Sequence, residues 1–514
     1  MRDGPMFYQS GSAKSAGSAG KHWMLFNSMS FLIFFPLVTF LYFAIPHRFR
    51  WAMLLTASCA FYMYFIPAYI LILLFTILVD YLAGIGLENS QGRRRKLLLV
   101  MSIVANVGVL AFFKYFNFLN GNLAELSRFL GWNYPIASLD IILPIGLSFH
   151  TFQAMSYTIE VYRGHQKAER HLGIYALYVM FYPQLVAGPI ERPQNLIHQF
   201  REVHRFDEQR TIAGLRLMLW GLFKKIVIAD TLAVSVNLLY AHPHDYQGLA
   251  FLMATVCFSF QIYCDFSGYS DIARGAAKVM GFSLMENFRT PYFSTSVSEF
   301  WRRWHISLSS WFRDYVYIPL GGNRVSRGRM ALNLMIVFVV SGLWHGAKWT
   351  YVLWGALHGL LLVGALMTVN LRQAWAQRTG LARRPRLHQG LQMLTVFSLV
   401  TLSWVFFRAN SASDAFFICG SIFSGAWSAA QNVFWPTPGQ QGLGIGLGAL
   451  GTVPLNTFLI LLLIALEAGH QRIGRAMPVA RYPVWARWAL YEGAVLAILC
   501  VTPQGIQQFI YFQF

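Results

Sequence analysis

From Trp51 to Val79 the chain carries no Asp, Glu, Lys or Arg, and comparable uncharged apolar runs recur along its length. In hydrocarbon such a run has one workable form, a helix that satisfies its own backbone groups, and about 20 residues of it cross a bilayer. Trp51–Val79 is too long for one crossing, and Pro67 is a natural place to divide it. Further candidates are Met29–Ile45, Leu97–Phe113, Ile141–Ile159, Leu172–Ile190, Ile226–Tyr240, Tyr246–Cys264, Ala331–Ala347, Trp349–Asn370, Leu391–Phe407, Ala415–Trp435, Leu455–Leu466 and Trp488–Val501. The series predicts an all-α polytopic membrane protein with about 11–13 spans.

Composition narrows the class further. Charged residues make up 12% of the chain, against about 25% in an average soluble domain. This excludes a disordered chain, a coiled coil and an ordinary cytosolic enzyme. The net charge of +20 comes from 41 basic and 21 acidic residues. The basic residues sit in short clusters between apolar runs, as in Arg93-Arg94-Arg95-Lys96 and in Arg372–Arg386. Such clusters mark loops that face the cytoplasm and anionic lipid heads, not a nucleic-acid-binding domain. The five cysteines form no CxxC pair, so neither a disulfide scaffold nor a metal site is indicated.

Residues 1–23 contain GSAKSAGSAG, a flexible composition without the apolar core of a signal peptide. Met24 is expected as an alternative start, and residues 24–514 as one membrane domain.

Several segments do not read as plain spans. Ile141–Gln153 carries Pro144, Gly146, Ser148 and His150, Val179–Pro189 carries Pro183, Gln184 and Gly188, and Gln261–Asp271 carries Asp265 and Asp271. Polar or broken backbone at membrane depth is tolerated where it is buried in protein or lines a cavity. Re-entrant segments around a polar tunnel are therefore expected. No internal repeat is evident, which weakens, without excluding, a secondary transporter built on inverted repeats.

Two windows concentrate the chemistry. Residues 299–324 read EFWRRWHISLSSWFRDYVYIPLGGNR. Glu299 and Arg303 are spaced to pair on one helix face, and Trp301, Trp304 and His305 fall within about one turn. An amphipathic interfacial helix, with arginines at lipid heads and tryptophans in the aromatic belt, is the competing reading. Residues 341–359 read SGLWHGAKWTYVLWGALHG, which places His345 at or near membrane depth between Gly342 and Gly346. A histidine is well suited to take a proton near neutral pH. Acyl transfer from a thioester to a hydroxyl needs such a base and donors for the oxyanion, but no metal. GxSxG, HExxH and GxxxxGK[ST] are all absent from the sequence.

The run WRRWHISLSSWFRDYVYIPLGGNR, followed by LWHG, resembles the signature of membrane-bound O-acyltransferases, and most closely the branch of alginate and exopolysaccharide O-acetyltransferases. PIGLSFHTFQAMSYTIEVYRG, FYPQLVAGPIERP, GLFKKIVIADTLA and QIYCDFSGYSDIARG agree with it. Cell-wall D-alanyl transferases and peptidoglycan O-acetyltransferases are similar in the same windows. The resemblance implies membrane helices and re-entrant helices around a central funnel, with His345 as catalytic base and His305 across the funnel. Charge and polarity suggest Arg302, Arg303 and Asn323 as contacts to the phosphates or pantetheine carbonyls of an acyl-CoA donor. Trp301 and Trp304 then line the tunnel or, equally, pack the core. Tyr511, in the segment QQFIYFQF, matches a tyrosine proposed in related systems to accept the acyl group; an interfacial aromatic anchor is the alternative.

The function expected is O-acetylation of an exopolysaccharide across the bacterial inner membrane. The expected donor is acetyl-CoA, with no bound cofactor and no metal. The expected partners are a periplasmic acetyltransferase, the polysaccharide acceptor pathway and membrane lipid, with no nucleic acid. A D-alanyl, peptidoglycan or lipid acyltransferase, or a transport component without chemistry of its own, are the alternatives.

Overall fold

The computed structural model describes residues 24–186, 188–246, 248–434, 453–473, 482–501 and 509–510. Tyr511 and residues 1–23 lie outside them. Within them the chain is helical, with no strand. Seven helices are long and apolar enough to cross a membrane: Pro67–Glu88, Gly92–Phe129, Leu249–Met280, Arg327–His345, Trp349–Met367, Pro385–Arg408 and Val484–Val501. Met29–Ala44, Ala412–Gly425 and Val453–Gly469 are apolar but shorter. His47–Met63 and Leu147–Arg163 also run from one face of the molecule to the other, although they carry too many polar residues to stand out by hydropathy.

Hydrogen bonds between connecting segments define the two faces. On one, His47 meets the Arg201 carbonyl, Arg50 donates to the His204 carbonyl, Arg95 to the Tyr162 carbonyl and Arg163 to the Asp314 carbonyl. Arg170 pairs there with Glu88, and Arg201 with Glu169. On the other face Tyr69 donates to the Ile142 carbonyl, Trp349 to Asn122 and Asn410 to the Tyr240 carbonyl. The clusters at residues 48–50, 93–96, 163–170, 192–210 and 324–329 all belong to the first, basic face.

The irregular segments resolve in different ways. Residues 172–190 form a broken hairpin, Leu172–Met180 then Tyr182–Leu185, and do not cross as one helix. Residues 132–143 are non-helical, and the next helix begins only at Leu147. The expectation for residues 261–271 needs correction, because they lie inside one continuous helix, Leu249–Met280. Their acids are matched by lysines of the π-helical turn Phe223–Ala229. Lys225 pairs with Asp265 at 2.6 Å and with Asp230 at 2.7 Å, and Lys224 with Asp271 at 2.6 Å. Buried charges in such pairs avoid the cost of an isolated ion in low dielectric. Glu208–Leu222 packs on this long helix through backbone contact. A Cβ on Gly221 would lie 2.5 Å from the Gly268 carbonyl, and one on Gly268 2.7 Å from the Gly221 carbonyl.

Candidate active site

His305 is set by its backbone. It adopts φ +42°, a left-handed conformation that costs a non-glycine residue about 1–3 kcal/mol. It stands between two seven-residue helices, Val297–Arg303 and Ile306–Phe312. Asn287 holds this corner. Its carbonyl accepts the Ile306 N–H at 2.9 Å, its side-chain oxygen accepts the Ser307 N–H at 3.1 Å, and its amide donates to Ser270. The imidazole is fully buried among Phe266, Phe149 and Trp344, with centroids at 4.6, 6.2 and 6.2 Å. Among the described residues neither ring nitrogen meets a hydrogen-bond partner.

His345 is the last residue of Arg327–His345 and is buried. That helix turns tightly into Trp349–Met367. A Cβ on Gly342 would lie 2.2 Å from the Tyr351 carbonyl, and one on Gly355 2.2 Å from the Phe338 carbonyl. The two histidines share one neighbour, because the Trp344 ring is 4.9 Å from His345 and 6.2 Å from His305. Trp354 and Phe407 close the other side of His345 at 5.0 and 5.3 Å. His358, from the same sequence window, accepts or donates a 2.8 Å bond with Ser403 inside the core.

Two cavities lie at the two ends of the Leu147–Arg163 helix, and the first reaches His345. The first, about 250 Å³, is lined by His345, Trp344, Lys114, Ser148 and the 142–147 segment, and lies toward Tyr62 and Tyr69 on the less basic face. The second, about 600 Å³, is lined by Glu160, Arg163, His165, Arg192 and Asp314 and lies on the basic face. Between them stands an aromatic wall. Phe152 stacks on Trp311 at 3.8 Å and on Trp344 at 5.3 Å. Ser156 accepts the Trp311 N–H at 2.9 Å and an Arg192 N–H at 3.3 Å, which ties the wall to the charged cavity.

The other residues singled out in the sequence are placed apart from the cavities. Trp301 packs on Trp354 and His358, and Trp304 on Phe300 and Trp404. Arg303 pairs with Glu299 at 2.6 Å, as their spacing predicts. Burial works to raise the Glu299 carboxyl, but hydrogen bonds from Thr295 and the Arg303 guanidinium outweigh it and hold the group below its ordinary value. Arg302 and Asn323 are exposed, and Asn323 accepts from Tyr317. Neither cavity includes Arg302, Arg303 or Asn323. In the motif at 181–193, burial pushes the Glu191 carboxyl up to about 7, against hydrogen bonds from the Met285 N–H and Asn195.

Residues 509–510 enter the core beside this centre. The Ile510 N–H donates to Asp265 at 2.7 Å, and the Phe509 ring lies 4.2 Å from Tyr269 and 6.0 Å from Phe266, the ring that touches His305. Sequence reasoning missed Asn287, Arg192 and Lys114. Lys114 had a usable signal, since it is a lone lysine between the apolar runs Leu97–Phe113 and Tyr115–Leu119.

The family model described as MBOAT, membrane-bound O-acyltransferase family, matches residues 165–409. The chain is 39% identical over 413 residues to a probable alginate O-acetylase AlgI of Pseudomonas aeruginosa, covering 79% of this chain and 76% of that protein. It is 35% identical over 427 residues to a peptidoglycan O-acetyltransferase of Helicobacter pylori, covering 76% and 78%. It is 28% identical over 296 residues to a teichoic acid D-alanyltransferase of Streptococcus thermophilus, covering 55% and 69%.

Proposed function

We propose a specific reaction for this chain, which belongs to the membrane-bound O-acyltransferase family and is a multi-pass membrane O-acyltransferase. It moves an acetyl group from cytoplasmic acetyl-CoA across the bacterial inner membrane for O-acetylation of an exopolysaccharide, alginate or a chemically similar polymer. The observation that carries this reading is the pair of cavities at the two ends of Leu147–Arg163, with His345 lining the one away from the basic face. CoA is highly charged and cannot cross hydrocarbon, whereas an acetyl group passed between acceptors at a wall of aromatic rings can.

The basic face is cytoplasmic by the charge bias of membrane loops. The donor arrives there, where Arg163 and Arg192 line the charged cavity and Arg302 and Arg303 add to the field around its phosphates. The pantetheine arm carries the thioester past the Phe152–Trp311 wall to His345, and a ring nitrogen of His345 takes the proton of the acceptor hydroxyl as its oxygen attacks the thioester carbonyl. The new C–O bond forms, the C–S bond breaks, and the thiol leaves with a proton. The departing thiolate takes that proton back from His345, and His305, fixed by its strained turn, orients the reacting groups.

Tyr511 is the acceptor hydroxyl in this scheme. What supports it is the resemblance of the segment QQFIYFQF to an aromatic motif of related systems. The acetyl group then passes to a periplasmic acetyltransferase and on to polymer hydroxyls.

The test is acetyl-CoA cleavage and polymer O-acetyl content for wild type, His345→Ala and Tyr511→Phe. The expected result is loss of turnover in His345→Ala by more than about a thousandfold, with acetyl label retained on wild type but not on Tyr511→Phe. Wild-type acetylation in His345→Ala would sink the assignment of the base.

A further inference from the structure

A helix end leaves four carbonyls without intrahelical partners, and in a membrane there is no water to take them. The helix that ends at His345 has all four accounted for. The Gly342 carbonyl accepts the Gly346 N–H at 3.3 Å. The Leu343 carbonyl accepts the Tyr115 hydroxyl at 2.6 Å. The Trp344 and His345 carbonyls both accept from the Lys114 ammonium, at 2.6 and 3.2 Å. Lys114 and Tyr115 are consecutive, and both belong to the π-helical turn Ala111–Tyr115 that interrupts the Gly92–Phe129 helix. Such turns are rare and cluster at functional sites.

Lys114 has a third contact, to the Ser148 hydroxyl at 3.3 Å, at the start of Leu147–Arg163. Its three donors are therefore engaged, all by neutral oxygens, and none is left to bind an oxyanion. A cation at a helix C-terminus also matches the negative end of the helix dipole. Lys114 and His345 line the same cavity.

We propose that Lys114, with Tyr115, is a positioning residue for acyl transfer. It clamps the carbonyl end of the Arg327–His345 helix against Ser148 and so fixes the His345 ring relative to the cavity. This rests on His345 being the base. A clamp of this kind affects the rate of the chemical step more than donor binding, because a base misplaced by about 1 Å costs on the order of a hundredfold.

The experiment uses the full-length protein in detergent with radiolabelled acetyl-CoA. It measures kcat, donor KM and melting temperature for wild type, His345→Ala, Lys114→Met, Lys114→Arg and Tyr115→Phe. Lys114→Met is expected to lower kcat by about a hundredfold with KM within about twofold of wild type. Lys114→Arg, which keeps a charged donor, is expected to recover about tenfold of that loss, and Tyr115→Phe to lower kcat by about threefold to tenfold.

The proposal is overturned if Lys114→Met turns over within about threefold of wild type while His345→Ala is inactive. It is also overturned if Lys114→Arg is no better than Lys114→Met and Tyr115→Phe matches wild type, since the lysine is then only a folding requirement. A wild-type protein silent toward acetyl-CoA would count against the donor assignment instead. Polymer O-acetyl content in cells then reads the same variants, and the same pattern decides.

Discussion

A single asparagine illustrates how much of this site depends on side chains far from any motif. Asn287 spends its carbonyl and its side-chain oxygen on the two peptide N–H groups that follow His305. Without its side chain the backbone carbonyl still holds the Ile306 N–H, but the buried Ser307 N–H loses its acceptor. Leaving such a donor unpaired costs about 1–3 kcal/mol. Asn287→Ala is expected to lower the acyl-transfer rate by about tenfold to a hundredfold while donor KM stays near wild type. Steady-state kinetics on the purified protein checks this, and a variant as fast as wild type would mean that the turn is held by packing alone.

At the scale of elements, the Arg327–His345 and Trp349–Met367 pair is the scaffold of His345, and it is held by contact between backbones. A methyl on Gly355 would sit 2.2 Å from the Phe338 carbonyl, whereas one on Gly364, nine residues on in the same helix, would meet nothing within 4 Å. Gly355→Ala is therefore expected to destabilise the protein by about 1–3 kcal/mol and to cut turnover with it. Gly364→Ala is expected to be neutral or to stabilise by up to about 1 kcal/mol, because alanine is the better helix former. Thermal unfolding in detergent separates the two, and equal melting temperatures would show that the helices can part without cost.

The whole molecule carries a charge asymmetry that sets its orientation. The basic face gathers the clusters at 93–96, 163–170, 192–210, 324–329 and 372–386, while the opposite face has Arg128, Lys348 and Arg408 against Glu125, Asp140, Asp245 and Asp414. Positive charge is retained on the cytoplasmic side. In a background without native cysteines, Arg94→Cys is expected to resist a membrane-impermeant maleimide in intact spheroplasts, and Ser138→Cys to react with it. Both positions are exposed. Reversed labelling would put the charged cavity outside the cell and remove the route for a cytoplasmic donor.

Much of the class was legible in the sequence, because hydrocarbon imposes a harsh local rule. Uncharged runs from Trp51 to Val79 or around Ile336 have to be helical wherever they sit. The break within 172–190 was legible for the same reason, since Pro183 and Gly188 interrupt a helix by local chemistry, although the segment also counted as a span by its length and apolarity. His305 and His345 stood out as polar groups in apolar surroundings. What the sequence left open is what depends on partners far along the chain. Asp265 and Asp271 read as tunnel residues until Lys224 and Lys225 neutralise them from another helix. Arg302 and Asn323 lie close to His305 in sequence yet outside both cavities, whereas Arg192 and Lys114 line them from more than 100 residues away. Periodicity and hydropathy are properties of neighbours along the chain, and they determine which segments are helices in a membrane. Which helix ends meet, and hence which carbonyls surround the Lys114 ammonium and which ring stands between the two histidines, follows from packing of distant segments, and only the tertiary structure decides it.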